Sequence, residues 1–323
     1  MEAIRPSPPQ PAAEPAPVVS PLGQPKDLNY ELAIQEIQRI LEAAQDERSF
    51  SIGSLQRIVA GMARAFSAGD DRLVVQAMEV DEGEFGLARH MVNTAIFAMK
   101  IAQGLEIPEE ELPWAGLAAA LHDVGMVIVP PRTLGKAGDL SGEETAIVRQ
   151  HPEKGFRILQ GLGPEYEWLA NVALQEHERE DGSGYPRGLK GDEIHELAKV
   201  VGLADVYEAI THPRPYRTAR APLDIVKEII ATERTKFSDR VLKGFIRGLS
   251  TFPVGSFVRL NSNEIARVVA TNPALPLRPV VDVVAGPKGE PLDSPRRIDL
   301  SSSTLIYITG PSPSLTPAHG DRK

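Results

Sequence analysis

Cysteine is absent from the 323 residues. That excludes disulfides, thiolate metal sites and cysteine nucleophiles together. Aromatic residues are only 5% of the chain against 42% hydrophobic residues in all, so a core must be built mostly from aliphatic side chains. No uninterrupted apolar run approaches the roughly 20 residues needed to cross a bilayer. The opening "MEAIRPSPPQPAAEPAPVVSPLGQPKD" lacks the basic start and apolar stretch of a signal peptide. A cytoplasmic protein with no membrane association is therefore expected. Positive charge is also in deficit, with a formal net charge of -9. Such a surface repels long polyanions, which argues against general nucleic-acid binding. A small anionic ligand stays open where metals or a few arginines reverse the sign locally.

What is present divides along the chain. Residues 1–27 are Pro/Ala-rich with few large apolar groups, and a disordered tail is expected. From Leu28 to about Ser250 the apolar spacing is helical almost throughout. "YELAIQEIQRILEAA" repeats Leu32, Ile34, Ile37, Ile40 and Leu41 as an amphipathic stripe, and "SIGSLQRIVAGMARAF" is another. "RHMVNTAIFAMKIAQGL" has an apolar face through Met91, Ala95, Ala98 and Ile101. "PEEELPWAGLAAALHDVG" opens with acids and is expected to stop at Gly125, and Ser141 to Glu144 has the form of a capping box. Beyond Phe252-Pro253, "VGSFVRLN", "EIARVVAT", "PVVDVVAG" and "STLIYIT" read as strands. The expected fold is mainly α, a helical bundle followed by a small C-terminal β-module. Its segments are an N-terminal helical part at 28–80, the main helical domain at 81–251, the β-module at 252–310 and a tail at 311–323. The helices of 28–80 are open to two readings, a homodimer surface or a cover for the core.

The histidines sit in telling places. His122-Asp123 ends an apolar helix, and neighbouring residues rotated by roughly 100° can both look into one cavity at its end. His90 lies in an otherwise amphipathic helix, preceded by Arg89, His151 precedes Pro152 at a helix start, and His177 is flanked by Glu176 and Glu178. Each alone reads more readily as a satisfied core or surface residue, a helix start or a solvated charged face than as a ligand. Asp205, inside "VVGLADVYEAI", is harder to dismiss, because a carboxylate among Val, Leu and Ala is costly to bury without a cation or donors.

Their order carries more than any one of them. "LHDVGM", "PRTLGKAGDLSGEETAIVRQHPEKGFRIL", "EHEREDGSGYPRGLKGDEI" and "VVGLADVYEAITHPRPYR" together resemble the HD-GYP family, a subgroup of the HD metal-dependent phosphohydrolases. The resemblance covers about residues 85 to 250 and implies an HD-domain helical bundle. It implies hydrolysis of the bacterial messenger cyclic di-GMP to pGpG or GMP by two divalent metals, iron or manganese. Carried over position by position, it gives His90, His122, Asp123 and Asp205 as the ligand set shared by HD proteins. Asp123 is then the bridging, catalytic carboxylate, and His151, Glu176 and His177 serve the second metal. Tyr185 would shape the substrate loop, and Arg214 and Arg217 would contact the cyclic dinucleotide. His195, His212 and His319 match no ligand position. Metal chemistry of this kind needs no protein nucleophile, in keeping with the missing cysteine.

The chain departs from the family pattern at three places. Glu176 stands where the family usually has a histidine, and Met126 replaces the lysine that normally follows His-Asp-x-Gly. Gly86 occupies the position of a glutamate found in trinuclear members. Two alternatives therefore accompany the phosphodiesterase reading. One is a degenerate member acting as a cyclic-di-GMP-responsive binder or scaffold for signalling protein partners. The other is a phosphohydrolase of another nucleotide.

Overall fold

In the computed structural model the first helix, α1 (Leu28–Gln45), turns its stripe inward: Tyr30, Ala33, Ile37, Ile40 and Ala44 are buried at alternating spacings of three and four. Leu32, expected on that stripe, is instead exposed, because it falls on the far side of Ile37 and Ile40. The described residues are 28–78, 86–136, 138–211, 222–249, 252, 254–272, 275 and 278–312. The tail expected at 1–27, all but the first two residues of the one expected at 311–323, and Arg214, Arg217, His212 and His319 lie outside them; Pro311 instead ends the last strand.

The helices that follow are α2 (Gly53–Ser67), α3 (Arg72–Ala77), α4 (Leu87–Gly104), α5 (Leu112–Leu121), α6 (Pro131–Leu134), α7 (Gly142–Val148), α8 (His151–Gln160), α9 (Glu167–Gln175), α10 (Glu196–Thr211), α11 (Pro222–Thr232) and α12 (Asp239–Leu249). The bundle centres on α4, which packs against α1, α5, α10 and α12. The sequence suggested one apolar face for α4, but the helix is buried nearly all round. A small-residue, almost chargeless sequence allows that. Its one buried ammonium, Lys100, is satisfied by Asp71 at 2.8 Å and Gln103 at 2.7 Å. The buried face of α1 belongs to the same apolar core as α4, α5 and α10, so that helix covers the core.

The acids Glu109–Glu111 form a separate 3-10 turn before α5, and α5 ends at Leu121, ahead of the expected stop. The chain then turns through Val124–Ile128, which leaves His122 and Asp123 at a helix end. The capping box at α7 is present in both halves, Ser141 Oγ accepting from the Glu144 amide and Glu144 accepting from the Ser141 amide.

The β-module is one antiparallel sheet of β1 (Phe257–Leu260), β2 (Ile265–Ala270), β3 (Val280–Ala285), β4 (Pro291–Asp299) and β5 (Ile308–Pro311), in the order β4-β3-β2-β1-β5. It has its own small core of Val258, Leu260, Ala266, Val268, Val281, Val283 and Leu300. Strand β4, "PLDSPRRID", was not foreseen. It is an exposed edge strand that tolerates two prolines and shows no apolar alternation. The run read as "STLIYIT" becomes strand only at Ile308, and Leu305 before it is 82% exposed.

Candidate metal centre

The helices deliver ligand-type side chains to one place. His90 sits in the first turn of α4, His122 and Asp123 follow α5, His151 opens α8, Glu176 and His177 follow α9, and Asp205 lies within α10. Two glycines let these segments meet. A Cβ at Gly125 would collide with the carbonyl of His151 and the amide of Gly155, and one at Gly202 with the carbonyl of Glu176.

One donor atom from each of Asp123, His151, Glu176 and His177 lies within 4.8 Å of the others, and the same holds for His90, His122 and Asp205. Asp123 joins the groups. Its Oδ1 is 3.2 Å from His151 Nε2, while its Oδ2 is 3.5 Å from His90 Nε2 and 3.6 Å from His122 Nε2. Asp205 Oδ1 is 3.2 Å from His90 Nε2 and 4.0 Å from His122 Nε2. Glu176 Oε1 lies 3.1 Å from His151 Nε2 and 3.0 Å from His177 Nε2. Every residue expected as a ligand is thus brought together, Glu176 included.

Backbone and side-chain partners orient the rings. His122 Nδ1 lies 2.7 Å from the Ala119 carbonyl and His151 Nδ1 lies 2.7 Å from the Val148 carbonyl. A carbonyl only accepts, so Nδ1 carries the proton and Nε2 of the neutral ring offers its lone pair inward. His90 Nδ1 lies 2.6 Å from Glu208 Oε2, with the same consequence.

The donors fit a divalent cation. His122 Nε2 and Glu176 Oε2 are buried with no hydrogen-bond partner, and each such orphan costs about 1–3 kcal/mol, more if charged. His151 Nε2 and His177 Nε2 face each other at 3.2 Å, an arrangement that a shared proton or a cation must relieve. Imidazole with carboxylate is a donor set suited to iron, manganese or zinc.

The electrostatics agree. Burial pushes the Asp123 carboxyl up, but the His122, His151 and His90 rings outweigh it and hold the group well below the usual carboxylate range. Glu176 is likewise raised by burial and then pulled far down by His177 and His151. Burial alone would lower His151, yet Asp123 and Glu176 raise it to about 9. The same two carboxylates that would hold a cation thus favour a proton on His151.

The glycine-rich turn after His177 is tied to this centre. Tyr185 stacks on the His177 ring at 4.6 Å between centroids and 19° between planes, and the Arg149 guanidinium lies 5.1 Å from the Tyr185 centroid. Burial, with Glu176, Asp123 and Asp205 nearby, pushes the Tyr185 phenol up, so it stays protonated. Glu178, read from sequence as part of a solvated face, is 2% exposed. Its carboxylate accepts from the amides of Arg187 at 2.7 Å and Leu189 at 3.0 Å, which pins the turn. His195 serves the start of α10, where its Nδ1 accepts from the Leu197 amide.

Sequence reasoning missed Glu208, Asn93, Arg149 and Tyr30. The first two carried a signal: Glu208 follows Asp205 by three residues and Asn93 follows His90 by three, spacings that share a helix face. Tyr30 carried none, being 63 residues from its partner Asn93.

Comparison with known proteins follows the same division. A family model described as an HD domain matches residues 74–241, and one described as a KOW domain associated with HD domain matches residues 257–312. The chain is 35% identical over 194 residues to a cyclic di-GMP phosphodiesterase of Pseudomonas aeruginosa, covering 60% of this chain and 47% of that protein. It is 38% identical over 137 residues to a 3'3'-cGAMP-specific phosphodiesterase of Vibrio cholerae, covering 42% of this chain and 29% of the relative. The match thus spans half or less of those relatives. An HDG"Y"P protein of Bdellovibrio bacteriovorus shares the fold with a TM-score of 0.54 at 18% identity, over 68% of this chain and 69% of the other. Among the described residues no helix is long and apolar enough to cross a membrane.

Proposed function

We propose, from the premise that this chain belongs to the HD domain family and carries its HD-GYP motifs, that it is a metal-dependent phosphodiesterase opening cyclic di-GMP to pGpG or GMP. The observation that carries the reading is Asp123, one oxygen of which faces each of two imidazole-carboxylate groups. In this reading one cation belongs to His90, His122, Asp123 and Asp205 and the other to Asp123, His151, Glu176 and His177. Two ions of iron or manganese would supply the Lewis acidity and the acidified water that phosphodiester hydrolysis requires.

The chain's own groups divide the remaining work. The Nδ1 partners of His90, His122 and His151 keep each Nε2 lone pair turned inward. Tyr185, neutral and half-buried, offers a hydroxyl donor at the rim. Arg149 is exposed and, among the described residues, makes no ion pair or side-chain hydrogen bond beyond its seat on Tyr185. Its five donors are free for a phosphate, which supports a role like that of the lysine replaced by Met126. Arg214 and Arg217 remain further candidates for the dinucleotide. The chemistry belongs to segment 81–251, with the β-module of 252–310 as an appended unit.

The test is direct. Prepared anaerobically with Fe(II) or Mn(II), the protein should hold about two metals per chain and linearise cyclic di-GMP. A second reading, turnover of another cyclic dinucleotide, is favoured by the relative named for 3'3'-cGAMP. Offering both substrates in one assay decides between them. Metal-loaded protein that binds cyclic di-GMP tightly without cutting it would instead be a binder or scaffold.

A further inference from the structure

We propose that Tyr30, on the helix that precedes the family-matched segment, is a positioning residue for the metal-facing ring of His90, acting through Asn93 and Glu208. This rests on the metal-centre reading and extends it to a residue outside the matched range of 74–241.

Four buried side chains form one chain of hydrogen bonds. Tyr30 Oη donates to Asn93 Oδ1 at 2.8 Å, and Asn93 Nδ2 donates to Glu208 Oε1 at 3.1 Å. Glu208 Oε2 lies 2.6 Å from His90 Nδ1. Donors and acceptors alternate in one sense only. Glu208 sets that sense, because a carboxylate only accepts: it takes the Asn93 NH2 and requires the proton on His90 Nδ1. The amide oxygen of Asn93 is thereby left to accept from the Tyr30 hydroxyl, which burial keeps protonated by pushing the phenol up to about 12. What remains is His90 Nε2, aimed at Asp205 and Asp123 at 3.2 and 3.5 Å.

The packing makes this a device rather than a coincidence. Tyr30 is 1% exposed, and Asn93 and Glu208 are nearly as deep, so no water competes for these atoms at an open surface. A buried amide and carboxylate are costly unless fully paired, and here each is paired towards the same ring. Outer partners of metal-ligating histidines typically affect metal affinity by about 10- to 100-fold. Glu208 is the direct partner and Tyr30 the remote one, so their effects should be graded.

Tyr30→Phe removes one hydroxyl and keeps the ring in the core. Glu208→Gln keeps shape and changes what faces Nδ1. Ile37→Val loosens the same helix without touching the hydrogen-bonded chain. Two readouts are taken on full-length protein: Mn(II) affinity by competition with a chelating dye, and the 15N shifts of His90 in metal-free, histidine-labelled protein. We expect Glu208→Gln to weaken Mn(II) binding by about 10-fold or more and Tyr30→Phe by a smaller factor. Both should move the His90 Nδ1 resonance, and Ile37→Val should change neither. The proposal is overturned if Tyr30→Phe matches the wild type in both readouts, or if Ile37→Val reproduces its effect. A wild-type protein that takes up no divalent cation would sink the metal-centre reading, and the 15N readout would still decide whether Tyr30 sets the ring.

Discussion

Asp123 is the residue on which two sets of ligands depend, and its replacement should behave differently from that of any neighbour. Asp123→Ala is expected to lower metal content at both groups and abolish hydrolysis, measured by metal analysis and product chromatography; an active, metal-loaded variant would refute the site. Arg149 makes the opposite prediction. Its guanidinium rests on Tyr185 and ligates nothing, so Arg149→Ala should raise KM for the cyclic dinucleotide with metal content unchanged. A fall in metal content with KM constant would remove its proposed role. His151 gives a pH dependence. In the metal-free protein its pKa is raised to about 9 from an unfolded value of 6.5. The stabilisation is complete below 6.5 and is lost as pH rises through 9. Melting of metal-free protein should therefore fall across that window, whereas Mn(II) affinity should rise across it, since the metal must displace the same proton. At this scale the sequence was largely readable. The ligand residues stand in order with recognisable neighbours, whereas Glu178 showed only its charge and none of the backbone amides it binds.

All the ligands but Asp205, which lies within α10, sit at or near the ends of helices, and close backbone seams hold these segments together. At Gly202, α10 touches the Glu176 carbonyl with no room for a methyl group. Gly202→Ala should push α10 and the end of α9 apart, destabilising by about 1–3 kcal/mol or more through overpacking. Denaturant midpoints with and without Mn(II) measure it, and an unchanged midpoint would mean that the seam yields cheaply. The helices themselves were legible from their apolar periodicity, and so were β1 to β3, whose inward residues are mostly Val, Ile, Leu and Ala. Strand β4 was not legible, because an exposed edge places no periodic demand on its side chains. The complete burial of α4 was hidden for a related reason. Periodicity reports which face prefers the core, whereas how many neighbours surround a helix is decided by the rest of the chain.

At the scale of the molecule, the bundle concentrates buried carboxylates and imidazoles, and two of their atoms, His122 Nε2 and Glu176 Oε2, have no hydrogen-bond partner. A cation binding only the folded form adds stability by mass action. Chelation should therefore lower the melting temperature of protein prepared with Mn(II), and readdition should restore it; a chelator-insensitive melt would show that the fold does not need the ion.

The seat of Tyr30 has a practical corollary for anyone trimming this protein. A fragment starting at the border of the family match, residue 74, would discard α1 and α2 and strip the cover from one side of α4. It would leave the amide of Asn93 facing solvent where a phenol had held it. The smallest working unit should instead begin no later than Leu28, and its length is set by a hydroxyl group far upstream of the first motif.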